Sequence, residues 1–153
     1  MSRLVIPVRW QGIVTGWQAR YFGDDKKQSK YISAKFRNGP FFNMVTPGNK
    51  SNTVILVEDI ISSHIIGRYV PCIAVLGSPA MIPSALVHLI KDDYDHIIPW
   101  LDADKAKTAI GWSKRLQAIY GVKSNPIFTR TDPKDTPEDG IKIILDIHHE
   151  TMR

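Results

Sequence analysis

The last two-thirds of the chain alternates short apolar runs with segments of helical spacing. Thr53–Val57 is a run of β-branched and aliphatic residues, as is typical of a strand buried on both faces. Further apolar runs at residues 70–76, 96–101 and 124–129 predict strands, and residues 59–68, 83–90, 105–120 and 137–147 predict helices. This alternation indicates an α/β domain, a parallel sheet flanked by helices.

The first fifty residues have another pattern. Residues 4–9 and 13–20 flank the turn pair Gln11-Gly12 and predict a β-hairpin, and residues 30–36 resume the extended pattern. Residues 46–52 are rich in turn formers. We therefore expect a small, mainly antiparallel β subdomain over residues 1–50, followed by the α/β domain over residues 51–153.

Charge is divided unevenly between these two segments. Residues 1–50 hold nine Lys or Arg and two Asp or Glu, whereas residues 51–153 hold eleven basic and thirteen acidic residues. A basic segment beside an acidic one predicts one surface for a polyanion and another for cations. A basic face that is merely solvated is the alternative, and charge alone leaves it open.

Cysteine and apolar content restrict the class of protein. Cys72 is the single cysteine, which excludes an intramolecular disulfide and a cysteine-based zinc site. No apolar run approaches the length of a membrane span, and the N-terminal residues lack the pattern of a signal peptide. We expect a soluble protein of a reducing compartment.

Acidic residues directly follow three of the predicted strands. They are Glu58-Asp59, Asp102-Ala-Asp104 and Asp132-Pro-Lys-Asp135. Ligands of parallel sheets collect beyond the carboxyl ends of the strands, and if residues 102–104 stay extended, both aspartates face the same way. Carboxylates held together need a cation, and such oxygen ligands suit Mg²⁺ or Mn²⁺. The alternative is that each acid only caps the next helix.

Five elements in order resemble the TOPRIM domain, and more narrowly the catalytic core of bacterial and phage DNA primases. They are residues 4–20 ending in Arg20, the pair Lys30-Tyr31, residues 54–58 ending in Glu58, the glycine turn of residues 73–78, and residues 100–106 with Asp102 and Asp104. The chain departs from that pattern at Asp59, Ser62-Ser63, Lys107 and Lys134, where the family often has Gly, Asp-Ala, Gly and a second Asp of an Asp-Pro-Asp element.

The resemblance implies a nucleotidyltransferase that synthesises short RNA primers on single-stranded DNA from ribonucleoside triphosphates. It implies catalytic roles for Glu58, Asp102 and Asp104, and a Mg²⁺ or Mn²⁺ ion on these three residues with Asp132 as a further ligand. Whether Glu58 binds metal or acts as acid/base stays open. By the same resemblance, the nucleotide-binding residues are Arg20, Lys30 and Tyr31, and the nucleic-acid-binding residues are Arg9, Lys35 and Arg37.

Two other functions are compatible with these residues. One is a TOPRIM nuclease, and the other is a degenerate TOPRIM protein that binds single-stranded DNA as an accessory subunit. For the primase, we expect a replicative helicase or a separate zinc-binding protein as partner, no membrane association, and a location in the cytoplasm of a bacterial cell or phage-infected host.

Overall fold

Two β-sheets and four α-helices make up the computed structural model, which describes residues 2–151. The strands are β1 (Arg3–Trp10), β2 (Ile13–Tyr21), β3 (Tyr31–Lys35), β4 (Asn43–Val45), β5 (Thr53–Val57), β6 (Cys72–Ala74) and β7 (His96–Pro99). The helices are α1 (Ile60–Ile66), α2 (Ser84–Ile90), α3 (Ala106–Tyr120) and α4 (Glu138–Thr151), with a 3-10 helix at Pro133–Asp135. No helix within residues 2–151 has the length and apolar character needed to cross a bilayer.

The first sheet is antiparallel, in the order β1-β2-β3. Gln11 and Gly12 join β1 to β2 with φ angles of +48° and +83°, the left-handed backbone of a tight hairpin turn. The predicted hairpin is therefore confirmed. Trp10, at the end of β1, is 6% exposed and packs in the core of the second sheet, edge-on to Phe42.

The second sheet is mixed, in the order β4-β6-β5-β7. Strands β6 and β7 flank β5 in parallel, while β4 pairs antiparallel with β6 at the edge. The predicted fold class, a parallel sheet with helices behind a small antiparallel β unit, is confirmed. One element differs from the predicted division of the chain near residue 50. Strand β4 lies within the first fifty residues but belongs to the second sheet. Asn43 fixes it there, buried and hydrogen-bonded to Ser63 and to the backbone of Arg9.

Helices cover both faces of the second sheet because successive side chains of β5 alternate between them. Val54 and Leu56 pack in one core cluster with residues of α2 and α3, including Trp112. Ile55 and Val57 pack in the other cluster with residues of α1 and α4. The all-apolar sequence of β5 is what a strand covered on both faces requires.

The prediction of a strand over residues 124–129 is wrong. This segment runs beside β7 with one parallel bridge, between His96 and Lys123, and one further backbone bond of 2.9 Å from Ile127 N–H to the Pro99 carbonyl. Pro99, which faces this segment from β7, lacks an N–H, so the ladder has a gap there. A side-chain bond of 2.9 Å, from Trp100 Nε1 to Thr129 Oγ1, holds the segment instead.

Candidate active site

The carboxyl ends of the parallel strands bring three chain segments to one rim of the second sheet. Glu58 directly follows β5, and its carbonyl accepts a 2.9 Å bond from the N–H of Leu76, just after β6. The N–H of Trp100, just after β7, donates to the Leu56 carbonyl at 2.8 Å. The backbone thus aligns Glu58, the turn at residues 76–78 and the start of the Asp102 loop.

Glu58 and Asp102 lie close together at this rim, where each carboxyl group shifts the pKa of the other. Glu58 is only 7% exposed, and Ser78 Oγ donates to its Oε2 at 3.3 Å. Burial, followed by the charge and hydrogen bond of Asp102, raises the pKa of Glu58 to about 7. Burial and the charge of Asp132 also raise the pKa of Asp102. A negative charge on both carboxyl groups at once is therefore unfavourable at this rim.

Asp59, next to Glu58, caps α1. Its Oδ1 accepts a 2.7 Å bond from the N–H of Ser62, and its Oδ2 accepts a 3.1 Å bond from Lys134 Nζ. Burial alone would raise the pKa of Asp59, but these two partners outweigh it and hold the pKa below its ordinary value. The helix-cap alternative is thus the one that the structure supports for Asp59.

Asp132 joins the third acidic segment to the Asp102 loop. Its Oδ1 accepts a 2.9 Å bond from the N–H of Ala103, and its Oδ2 lies 3.7 Å from Lys134 Nζ. Lys134 therefore bridges Asp59 and Asp132. Burial lowers the pKa of Lys134, but the hydrogen bond and charge of Asp59 outweigh burial and leave it above its ordinary value.

Asp104 lies in a turn and not in an extended segment with Asp102. The chain turns at residues 102–105, where the N–H of Lys105 donates to the Asp102 carbonyl at 2.8 Å, and Asp104 is exposed in this turn. An extended segment, the condition under which both aspartates would face the same way, is therefore not present. Participation of Asp104 in metal binding remains a prediction.

A divalent cation fits the donor set at this rim. Across residues 2–151, no three His, Cys, Asp or Glu side chains converge as a ready-made metal cage. Mg²⁺ commonly takes only one or two protein carboxylates and completes its shell with water and phosphate oxygens. Glu58 and Asp102, which lie close together at this rim, supply such a pair.

A cavity of about 400 Å³ opens between the rim and the first sheet. Its lining includes Glu58, Asp102, Lys30 and Tyr31, with Asp59 and Ser78 between them. Arg20 stands beside Tyr31, because Nη1 donates to the phenolic oxygen at 2.8 Å and the guanidinium lies 5.3 Å from the ring centre. The structure thus brings predicted nucleotide-binding residues together with the predicted catalytic acids.

Three other predicted residues lie elsewhere. Within the part of the chain that the structure describes, Arg9, Lys35 and Arg37 do not line this cavity. Lys35 is exposed opposite Gly16, at the far end of β3 from Tyr31, and Arg37 is exposed beyond it. Their contact with nucleic acid remains a prediction.

Sequence reasoning gave no role to several residues of the site. Gln18 is 4% exposed and donates from Nε2 to Ser33 Oγ at 3.1 Å, in the wall of the cavity. Only the cross-strand register of β2 and β3 reveals that pair. Ser78 could have been predicted from the sequence, because it follows the glycine of the turn after β6. Leu76, in that turn, has a strained φ of +62°.

Solved structures with a similar fold include DNA primases. The Aquifex aeolicus primase, as its zinc-binding and RNA polymerase domains, matches with a TM-score of 0.74 and 20% identity over 97% of this chain. A DNA primase domain from Pseudomonas aeruginosa matches with a TM-score of 0.74 and 18% identity over 94%. The DnaG primase catalytic domain bound to single-stranded DNA gives 0.72 and 19% over 97%.

This chain has the fold of a DNA primase catalytic core. The resemblance to primase cores inferred from the sequence is thereby confirmed. The chain spans 40%, 50% and 51% of the lengths of these three structures. No protein-family model and no curated protein matches the sequence.

Proposed function

We propose that the chain is the catalytic core of a DNA primase, a nucleotidyltransferase that makes short RNA primers on single-stranded DNA. The observation that carries the proposal is that one and the same cavity is lined by Glu58 and Asp102 and by Lys30 and Tyr31. Phosphoryl transfer needs acidic side chains that bind a cation and a basic side chain that binds phosphate, together at one cavity. The shared fold of the primase structures supports the proposal.

In this function, Glu58 and Asp102 hold Mg²⁺ or Mn²⁺, with Asp104 and Asp132 as the further predicted acids of the catalytic set. The ion, when bound, stabilises charge on the attacking and leaving oxygens. Ser78 orients Glu58 through its 3.3 Å hydrogen bond. Whether Glu58 is a ligand or an acid/base stays open, since its pKa of about 7 suits both roles.

Nucleotide phosphates and the template backbone beside them are assigned to Lys30, which reaches the cavity from an exposed position just before β3. Tyr31 provides a ring for a base or ribose, and Arg20 orients that ring through the 2.8 Å bond to its hydroxyl. Arg9, Lys35 and Arg37 extend the proposed surface as sequence-independent contacts to template phosphates.

The proposed partners follow from the same function. The template is single-stranded DNA, and the substrates are ribonucleoside triphosphates. The sequence contains one cysteine, so a zinc-binding module of the cysteine type has to come from outside it, as does helicase activity. We assign the reaction to the cytoplasm of a bacterial cell or phage-infected host.

A second candidate function is favoured by one contact. Lys134 places an ammonium in the acidic cluster, as expected for a degenerate site whose protein binds single-stranded DNA without synthesis. A nuclease with the same acids is the third candidate.

One assay separates these functions. The protein is incubated with single-stranded template, labelled ribonucleotides and Mg²⁺ or Mn²⁺. Labelled oligoribonucleotides support the primase, and shortened template supports the nuclease. Template binding with neither product supports the degenerate accessory protein and contradicts the primase.

A further inference from the structure

Lys134 is an unusual residue for a cluster of carboxyl groups that is to bind metal. Its side chain is 14% exposed, and its partner Asp59 is 11% exposed. Burying an ammonium is costly unless it is paired, and here two carboxylates pair with it, at 3.1 Å and 3.7 Å. The 3-10 helix Pro133–Asp135 carries this side chain back to the start of α1.

The ammonium divides the acidic cluster into two halves. Asp59 and Asp132 form the half that Lys134 neutralises, and their oxygens also accept bonds from the backbone N–H groups of Ser62 and Ala103. Glu58 and Asp102 form the other half, and within residues 2–151 neither of these carboxyl groups has a Lys or Arg at salt-bridge distance. The need for a further cation is therefore concentrated at Glu58 and Asp102.

Phosphoryl-transfer sites with two metal ions hold them about 4 Å apart. In this cluster, the position beside Asp59 and Asp132 already contains a positive charge attached to the chain. A second divalent ion placed there would meet the ammonium at short range, and like charges at such a distance repel strongly where solvent is scarce.

We propose that the Lys134 ammonium takes the place of one divalent ion, so that the rim binds a single Mg²⁺ or Mn²⁺, at Glu58 and Asp102. This inference rests on the proposed function, because it assumes that the pair binds metal. It assigns Lys134 as a residue that sets the number of metal ions.

Binding of Mn²⁺ alone, without nucleotide or DNA, tests the inference. The electron paramagnetic resonance signal of free Mn²⁺ is followed while the full chain is added. We expect one bound ion in the wild type and two in Lys134→Gln, with the second ion lost again when Asp132→Asn is added. Lys134→Arg keeps the charge and should bind one ion. Lys142→Gln removes an exposed lysine of α4 and should also bind one.

The outcomes separate this inference from the proposed function. Two ions in the wild type, or one ion of unchanged affinity in Lys134→Gln, would overturn the role of Lys134 while leaving the metal site in place. No ion in the wild type would overturn both. Lys134→Met, which keeps the aliphatic stem, is the replacement if circular dichroism shows that Lys134→Gln does not fold, and the same two results decide it.

Discussion

Glu58 and Asp102 line the same cavity although they follow different strands, β5 and β7. Since these strands are parallel neighbours, their carboxyl ends lie at the same rim and the two side chains meet. Glu58 is nearly buried, so its charge is costly until a cation arrives. The pair is therefore a point where pH, stability and metal binding are linked.

Replacing Glu58 with Gln should stabilise the metal-free protein at high pH. Folded Glu58 keeps its proton up to a pKa of about 7, whereas the ordinary pKa is 4.5, so the wild type loses stability as pH rises through that window. The Gln amide accepts from Ser78 and donates to Asp102 without a charge. We expect a gain on the order of 1–3 kcal/mol at pH 8 and little change at pH 4.

Urea unfolding with a metal chelator at the two pH values measures this gain. An equal difference in unfolding free energy between variant and wild type at both pH values would show that the fold does not raise the pKa of Glu58.

Replacing Asp102 with Asn should abolish primer synthesis and leave template binding close to that of the wild type. The variant removes a carboxylate of the metal pair but no residue of the basic segment. Loss of metal stabilisation predicts a fall on the order of 100-fold or more in primer synthesis. The matched control is Asp92→Asn, an exposed acid after α2 that does not line the cavity. Full activity of Asp102→Asn would remove Asp102 from the mechanism.

Replacing Lys30 with Ala should raise the concentration of ribonucleotide needed for half-maximal synthesis. The same change should make binding of single-stranded DNA less dependent on salt, since one phosphate contact fewer lowers the logarithmic slope by about 1. Lys26→Ala, in the exposed loop before β3, is the control. Unchanged kinetics and slope in Lys30→Ala would contradict the phosphate assignment.

Two buried tryptophans allow the stability contributed by the hydrogen bond from Trp100 to Thr129 to be measured. Trp100 donates from Nε1 to Thr129, whereas Nε1 of Trp112 is buried without a hydrogen-bond partner in the described structure. Trp100→Phe should therefore cost about 1 kcal/mol more unfolding free energy than Trp112→Phe, because both lose similar volume but only one loses a hydrogen bond. Denaturant unfolding of the two variants checks this, and equal losses would mean that the bond contributes nothing.

Local patterns predicted much of the fold. The Gln11-Gly12 turn and the apolar run Thr53–Val57 carry their structure in their own residues, and both elements form where they were predicted. Residues 124–129 have the composition of a strand, but the missing N–H of Pro99 on β7 and the hydrogen bond of the Trp100 side chain decide their conformation instead. The three residues Asn43–Val45 are too few to show which sheet they join.

The site was predictable where it depends on strand ends and not where it depends on distant contacts. Glu58 and Asp102 meet because each follows a parallel strand, which the sequence indicates. The bond between Lys134 and Asp59 joins residues far apart in the sequence, and no local pattern encodes it. Asp104 lies in a turn because the N–H of Lys105 bonds back to the Asp102 carbonyl, and the residue types alone do not predict that bond.

The position of a bound ion tests the central claim most directly. A crystal of the chain soaked in Mn²⁺ and measured for anomalous scattering locates that ion without reference to activity. We predict a peak at the rim, about 2.1 Å from carboxylate oxygens of both Glu58 and Asp102. A fully soaked crystal with no peak at this pair, or with Mn²⁺ bound only at other acids, would contradict the account.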